Sequence, residues 1–208
     1  MANLSLSLIK KLYYKERLST LEIARRLKTT PWVVLGFMKR MDLPRRTLKE
    51  TNKITFERKP KSFCLKQKLS GRDNYLKVAG SMLYWAEGAK YNPAMRSAVI
   101  DFVNSDPRMV KLFLSFLRII CGIDEKRLRV LLYCYANQDI EVLKKYWYKV
   151  TEINFKQFTK PYVREDFLPE KSGKMKYGLV HIRYHDKKLL IQIYNWINEY
   201  LENNSIRG

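Results

Sequence analysis

The stretch that decides the fold is Arg127-Leu128-Arg129-Val130-Leu131-Leu132-Tyr133-Cys134-Tyr135. Side chains of a strand point alternately to its two faces. Leu128, Val130, Leu132 and Cys134 therefore fall on one side, and Arg127, Arg129, Leu131, Tyr133 and Tyr135 on the other. The stretch Leu179-Val180-His181-Ile182-Arg183-Tyr184-His185 repeats the pattern, with Val180, Ile182 and Tyr184 opposed to His181, Arg183 and His185. Two such strands predict a sheet with one face under helices and the other open, basic and aromatic. That surface suits a phosphate backbone and base edges, which makes Arg127, Arg129, Tyr133, His181 and Arg183 candidate nucleic-acid contacts. An ordinary solvated sheet face is the plainer alternative.

Around these strands the pattern alternates. A helix is expected over 74–87, a strand over 97–104 and a helix opened by Ser105-Asp106-Pro107. Further helices are expected over 139–150 and 189–202. The order is α+β, and residues 74–208 are enough for one core.

The chain has 208 residues, of which 46% are apolar and 13% aromatic, so it carries the material of a packed core. Its 41 Lys and Arg against 20 Asp and Glu give a net charge of +21, which points to a polyanionic partner. The excess is concentrated: residues 1–70 hold 18 basic and 5 acidic side chains. A small cationic module over 1–50 is expected ahead of a larger, more balanced one over 74–208. A basic linker over 51–73, broken by Lys59-Pro60-Lys61 and Ser70-Gly71, is expected to join them.

Within the first module Leu6, Ile9, Leu12 and Tyr13 recur at helical spacing. Ser19 or Thr20 caps a second helix carrying Leu21, Ala24 and Leu27 on its inner face, and Lys28-Thr29 breaks it. Thr30 then caps a third helix with Pro31 at its first position. Two short helices joined by a tight turn describe a helix-turn-helix.

Leu18-Ser19-Thr20-Leu21-Glu22-Ile23-Ala24-Arg25-Arg26-Leu27 resembles the first half of helix-turn-helix domains of bacterial regulators. The resemblance implies that the following helix lies in the major groove, with Thr30, Trp32, Val33, Gly36 and Lys39 facing it and Arg40, Arg45 and Arg46 on phosphates. A three-helix protein-interaction module is the alternative. In the second module, Gly80-Ser81-Met82-Leu83-Tyr84-Trp85-Ala86-Glu87-Gly88 resembles the nine-residue motif of the LAGLIDADG proteins. The later segments Ala98 to Asn104, Ser105-Asp106-Pro107, Gln138-Asp139 and Phe158 to Tyr162 are similar in order. The resemblance implies a saddle-shaped antiparallel sheet with helices on one face. It also implies a homodimer paired through Gly80, Ser81, Leu83 and Tyr84, and Glu87 at the catalytic, metal-binding place.

Met82 and Trp85 depart from the nuclease form of that motif, and the added N-terminal module resembles regulators derived from the same fold. The expectation is therefore a sequence-specific double-stranded DNA-binding protein, a transcriptional regulator that needs no cofactor to bind. The alternative is a Mg²⁺-dependent homing-type endonuclease acting as a homodimer, and Mg²⁺ is expected only in that case. An RNA-binding or protein-interaction module is a third reading. The three cysteines are far apart, no apolar run is long enough to span a membrane, and the N-terminus lacks a signal-peptide pattern. A cytoplasmic, nucleoid-associated location is expected, with no membrane partner. No P-loop or dinucleotide fingerprint occurs, and His181 and His185 share a strand face with Arg183, whose charge opposes a metal.

Overall fold

Ser5, Ser19, Thr30 and Thr47 are each an extended residue whose side-chain oxygen accepts the backbone N–H three residues on. Such caps satisfy amides that a helix start leaves open, and each opens one helix of the N-terminal unit. A computed structural model describes residues 4–90, 98–165 and 175–204. The chain divides into Met1–Pro60 and Lys61–Gly208.

In the first unit α1 (Leu6–Lys10) runs on as a π-helical turn over Lys11–Lys15. It is followed by α2 (Thr20–Arg26), α3 (Pro31–Arg40) and α4 (Leu48–Arg58). Ile9, Leu12, Tyr13, Ile23, Ala24, Val34, Phe37, Met38 and Leu43 form its core. The turn between α2 and α3 places Lys28 at φ +51° and sends the Thr29 N–H back to Ala24 O at 2.9 Å. Helix α4 corrects the expected linker. Thr47 and Glu50 form a capping box there, and only Ile54 is buried, so the helix has no apolar stripe to betray it. Arg17–Glu57 at 2.9 Å and Arg58–Glu22 at 3.3 Å tie it to α2 and the turn before it instead.

Residues 61–70 are not a linker either, because they dock on the second unit. Cys64 N–H donates to Gly122 O at 2.9 Å and Lys66 N–H to Ile120 O at 3.0 Å, while the Ser62 hydroxyl donates to Asp186 at 2.6 Å. Gly122 has φ +57°, and a Cβ there would lie 2.0 Å from Cys64 O, so only glycine fits.

The second unit contains α5 (Gly71–Glu87), β1 (Ile100–Asn104) and α6 (Pro107–Ser115), which continues as a π-helical turn over Phe116–Ile120. A 3₁₀ turn (Glu125–Arg127) leads into β2 (Arg129–Tyr135), followed by α7 (Ile140–Thr151), β3 (Tyr162–Arg164), β4 (Leu179–Tyr184) and α8 (Lys187–Asn203). Residue 97, at the start of the expected first strand, lies outside the described residues. The fold is α+β, and the sheet order is β1-β4-β2-β3. Strand β4 is antiparallel to β1 and β2, but β3 runs parallel to β2, so the sheet is mixed rather than antiparallel. The cause is the crossover through α7, which returns the chain in the direction of β2. Pro161 precedes β3, a place that an edge strand tolerates.

Ile100, Phe102, Val130, Leu132, Cys134, Val180, Ile182 and Tyr184 line the covered face and join one core with Phe113, Phe116, Trp147 and Ile193. Helix α5 packs inward through Gly80, Ser81 and Tyr84, all buried. A Cβ on Gly80 would stand 2.1 Å from the Phe116 ring. Tyr84 stacks on Phe113 with centroids 5.8 Å apart and donates to Ala89 O at 3.1 Å. These three residues therefore hold the helix to its own chain, which corrects their assignment to a dimer interface. Leu83 alone of the four is partly exposed.

Gly80→Ala is expected to lower unfolding stability by about 1–3 kcal/mol, the usual cost of overpacking a filled core. A denaturant titration checks it, and an unchanged midpoint would mean that Phe116 yields freely.

Candidate nucleic-acid interface

The face of the sheet turned away from the core is built in rows, because residues opposite one another in the register share a face. Asp101, Arg183 and Arg129 form one row across β1, β4 and β2, and Val103, His181 and Leu131 the next. Leu179, Tyr133 and Tyr162 follow, then Tyr135 beside Arg164. Tyr133 and Tyr162 stack with centroids 4.9 Å apart, and the Arg164 guanidinium lies 5.9 Å from the Tyr135 ring. Arg129 and Tyr162 are exposed, and Tyr133, His181 and Arg183 are half-buried.

The first row sets the electrostatics. Arg183 Nε donates to Asp101 Oδ2 at 2.8 Å, and His181 Nδ1 lies 2.9 Å from Asp101 Oδ1. Burial pushes the Asp101 carboxyl up, but the hydrogen bonds and charges of His181 and Arg183 outweigh it and hold the group below the usual carboxylate range. The ionised carboxylate fixes His181 with Nδ1–H toward Asp101, leaving Nε2 as the nitrogen turned away from it. Arg129 stands opposite Arg183 in the same row, and its guanidinium donates to Lys126 O at 2.8 Å and Leu128 O at 2.7 Å. The row thus runs anion, cation, cation, with the like charges of Arg183 and Arg129 opposite each other on β4 and β2, a pairing that is unfavourable by itself.

Arg127 leaves this set. It sits in the 3₁₀ turn, where it donates to His185 O at 2.8 Å, and its guanidinium lies 5.8 Å from the ring of Tyr184, a residue of the covered face. The proline-free run Arg127 to Tyr135 gave no sign that its first residues turn before the strand begins. Asp101 is the site residue that the sequence reading missed, since its pairing with residues 181 and 183 depends on a register that spans about 80 positions of chain.

In the first unit, Trp32, Val33, Lys39 and Arg40 of α3 are exposed, opposite buried Val34, Phe37 and Met38. A Cβ on Gly36 would meet nothing within 4 Å, so this face is bare at its centre. The Thr30 oxygen is engaged as a cap, accepting the Val33 N–H at 3.4 Å. Arg45 is exposed. Arg46 is not a surface cation of the expected kind. It donates to Arg17 O at 2.9 Å and to Leu18 O, and stacks 4.0 Å above the Tyr13 ring, whose hydroxyl accepts the Arg46 backbone N–H at 2.9 Å. These bonds turn it from a phosphate contact into the clasp between the chain after α3 and the turn before α2.

Glu87 ends α5 as an exposed carboxylate. Next to it Gly88 bridges Phe102, and Ala89 N–H donates to Asp101 O at 2.9 Å, so Glu87 is carried to the β1 side of the sheet. The nearby Asp101 carboxylate is already engaged by His181 and Arg183. Among the described residues no group of three or more His, Cys, Asp or Glu side chains is placed to hold a metal ion. Of the two carboxylates, Glu87 is exposed and Asp101 is largely enclosed by its partners. Among the described residues no helix is long and apolar enough to cross a membrane. No family model, curated protein or solved structure matches the chain.

Asp101 ionises more readily in the folded chain than in the unfolded one, so its stabilisation is present above the unfolded value and fades as pH falls through the folded one. Asp101→Asn is expected to cost about 1–3 kcal/mol at pH 7, the penalty of leaving partly buried partners unpaired. The gap from the parent should close as the pH drops below the ordinary carboxylate range. Denaturant melts across pH 7 to 3 check this, and a constant gap would show that the charge is not what stabilises.

Proposed function

We propose that the chain is a sequence-specific double-stranded DNA-binding protein acting as a transcriptional regulator, with α2 and α3 as a helix-turn-helix and the second unit as a LAGLIDADG-like saddle. The observation that carries the reading is the sheet face turned from the core, where Arg129 stands against Arg183, Asp101 of β1 is the one carboxylate of the row, and a tyrosine stack lies alongside. Such a row is relieved by a phosphate backbone, and the half-buried His181 beside it adds a hydrogen-bonding edge. The +21 charge of the whole chain supports a polyanion over a neutral ligand.

Regulation rather than cleavage is favoured by Met82 and Trp85, which depart from the nuclease form of the motif just ahead of Glu87. In this reading a second copy pairs through the outward stripe of α5. That stripe is formed by Tyr75, Ala79, Leu83 and Ala86, with Tyr75 80% exposed. It differs from the expected stripe because Gly80, Ser81 and Tyr84 are used inside the chain. Location near the nucleoid follows from the same proposal.

A duplex-binding isotherm measured over a range of KCl tests it. The log–log slope is expected to be steeper than about −3.6, as for at least ~4 neutralised phosphates. Arg129→Ala and Lys39→Ala are each expected to flatten that slope by about 0.9. A slope near zero counts against duplex DNA as the partner.

A further inference from the structure

We infer that the outward face of α3 reads thymine-containing sequence through the C5 methyl groups, with Trp32 and Val33 as the reading side chains; this rests on the duplex-binding reading above. Residues 32, 36, 39 and 40 fall on one stripe of the helix, with residue 33 beside it, opposite the buried Val34, Phe37 and Met38. Trp32 is 81% exposed and Val33 44% exposed. Apolar area of that size held in water at the start of a helix is unfavourable unless a ligand covers it.

The chemistry of the stripe narrows what that ligand offers. It carries no Asn or Gln, the pair of side chains that grip adenine through N6 and N7, and no carboxylate to accept from cytosine. The single hydroxyl at its start, Thr30, is engaged with the Val33 N–H. What remains is an apolar first turn, a bare backbone at Gly36 and two cations, Lys39 and Arg40, at the far end. The apolar feature that the major groove presents is the thymine methyl. Gly36 leaves room for that edge to come close, and Lys39 and Arg40 suit the flanking phosphates or a guanine. Charge selects nucleic acid over an apolar protein as the occupant, because residues 1–60 carry 15 Lys and Arg against 5 Asp and Glu.

The test uses the full chain. Duplexes are selected from a random pool, each thymine of the enriched sequence is replaced singly by uracil, which deletes only the methyl, and affinities are measured. Two or more neighbouring positions are expected to lose about fourfold each, the worth of one buried methyl-sized group. Trp32→Ala or Val33→Ala should abolish those losses, and Lys39→Ala should keep them. Both reading side chains are exposed, so these variants fold.

An enriched sequence without thymine, or one in which every uracil is silent, overturns the inference and leaves duplex binding intact. So do uracil losses that persist in both apolar variants, and a failure to enrich that accompanies a steep salt dependence. Failure to enrich with a flat salt dependence overturns duplex binding itself, leaving the apolar first turn as a protein-docking surface.

Discussion

Phe116 occupies the space that a side chain on residue 80 would need, and the rest of the second unit depends on that contact. It brings α5 against the π-helical turn after α6, seats Tyr84 on Phe113, and aligns Phe113 with Phe102 of the sheet at a centroid distance of 4.3 Å. One aromatic ladder thus joins two helices to β1. Because the ladder fixes where α5 ends, it also fixes Glu87, Gly88 and Ala89 beside Asp101. Packing on one side of the sheet thereby sets the chemistry presented on the other.

The two units use different physics for the same end. In the second, apolar area removed from water dominates, and polar groups are satisfied around it, as in the Trp147 indole donating to Tyr177 O at 2.7 Å. In the first, an apolar core of three helical segments is extended by α4, which buries only Ile54 and is joined through exposed charge pairs. Exposed pairs of this kind contribute little, typically up to ~1 kcal/mol each. Arg46 differs because its guanidinium is bound by carbonyls and an aromatic face at once.

What was legible in the sequence follows from periodicity. The alternation in 128–135 and 179–184 located both central strands and sorted their faces, and Thr30-Pro31 marked the start of α3 to the residue. Helix α4 was illegible because its polar residues carry no stripe, and only the Thr47 and Glu50 spacing announces it. Strand β3 was illegible because three residues are too few to show a period, and its direction depends on the α7 crossover. On the candidate interface, Trp32, Val33, Lys39, Arg40 and Arg129 are exposed, as helical and strand periodicity can indicate. Arg46 and Arg127 were misjudged because a cation's partners, here backbone carbonyls and tyrosine rings, are fixed by tertiary geometry.

The two borders of the sheet are closed in different ways. Along β1, the chain at Gly88 and Ala89 already satisfies Phe102 and Asp101. Beyond β2, β3 is only three residues long, with Lys160 and Pro161 just before it. Among the described residues neither margin offers the long row of open amides that recruits a foreign strand. The rows of arginine and tyrosine thereby lie between short or covered borders, where a further strand finds little to pair with.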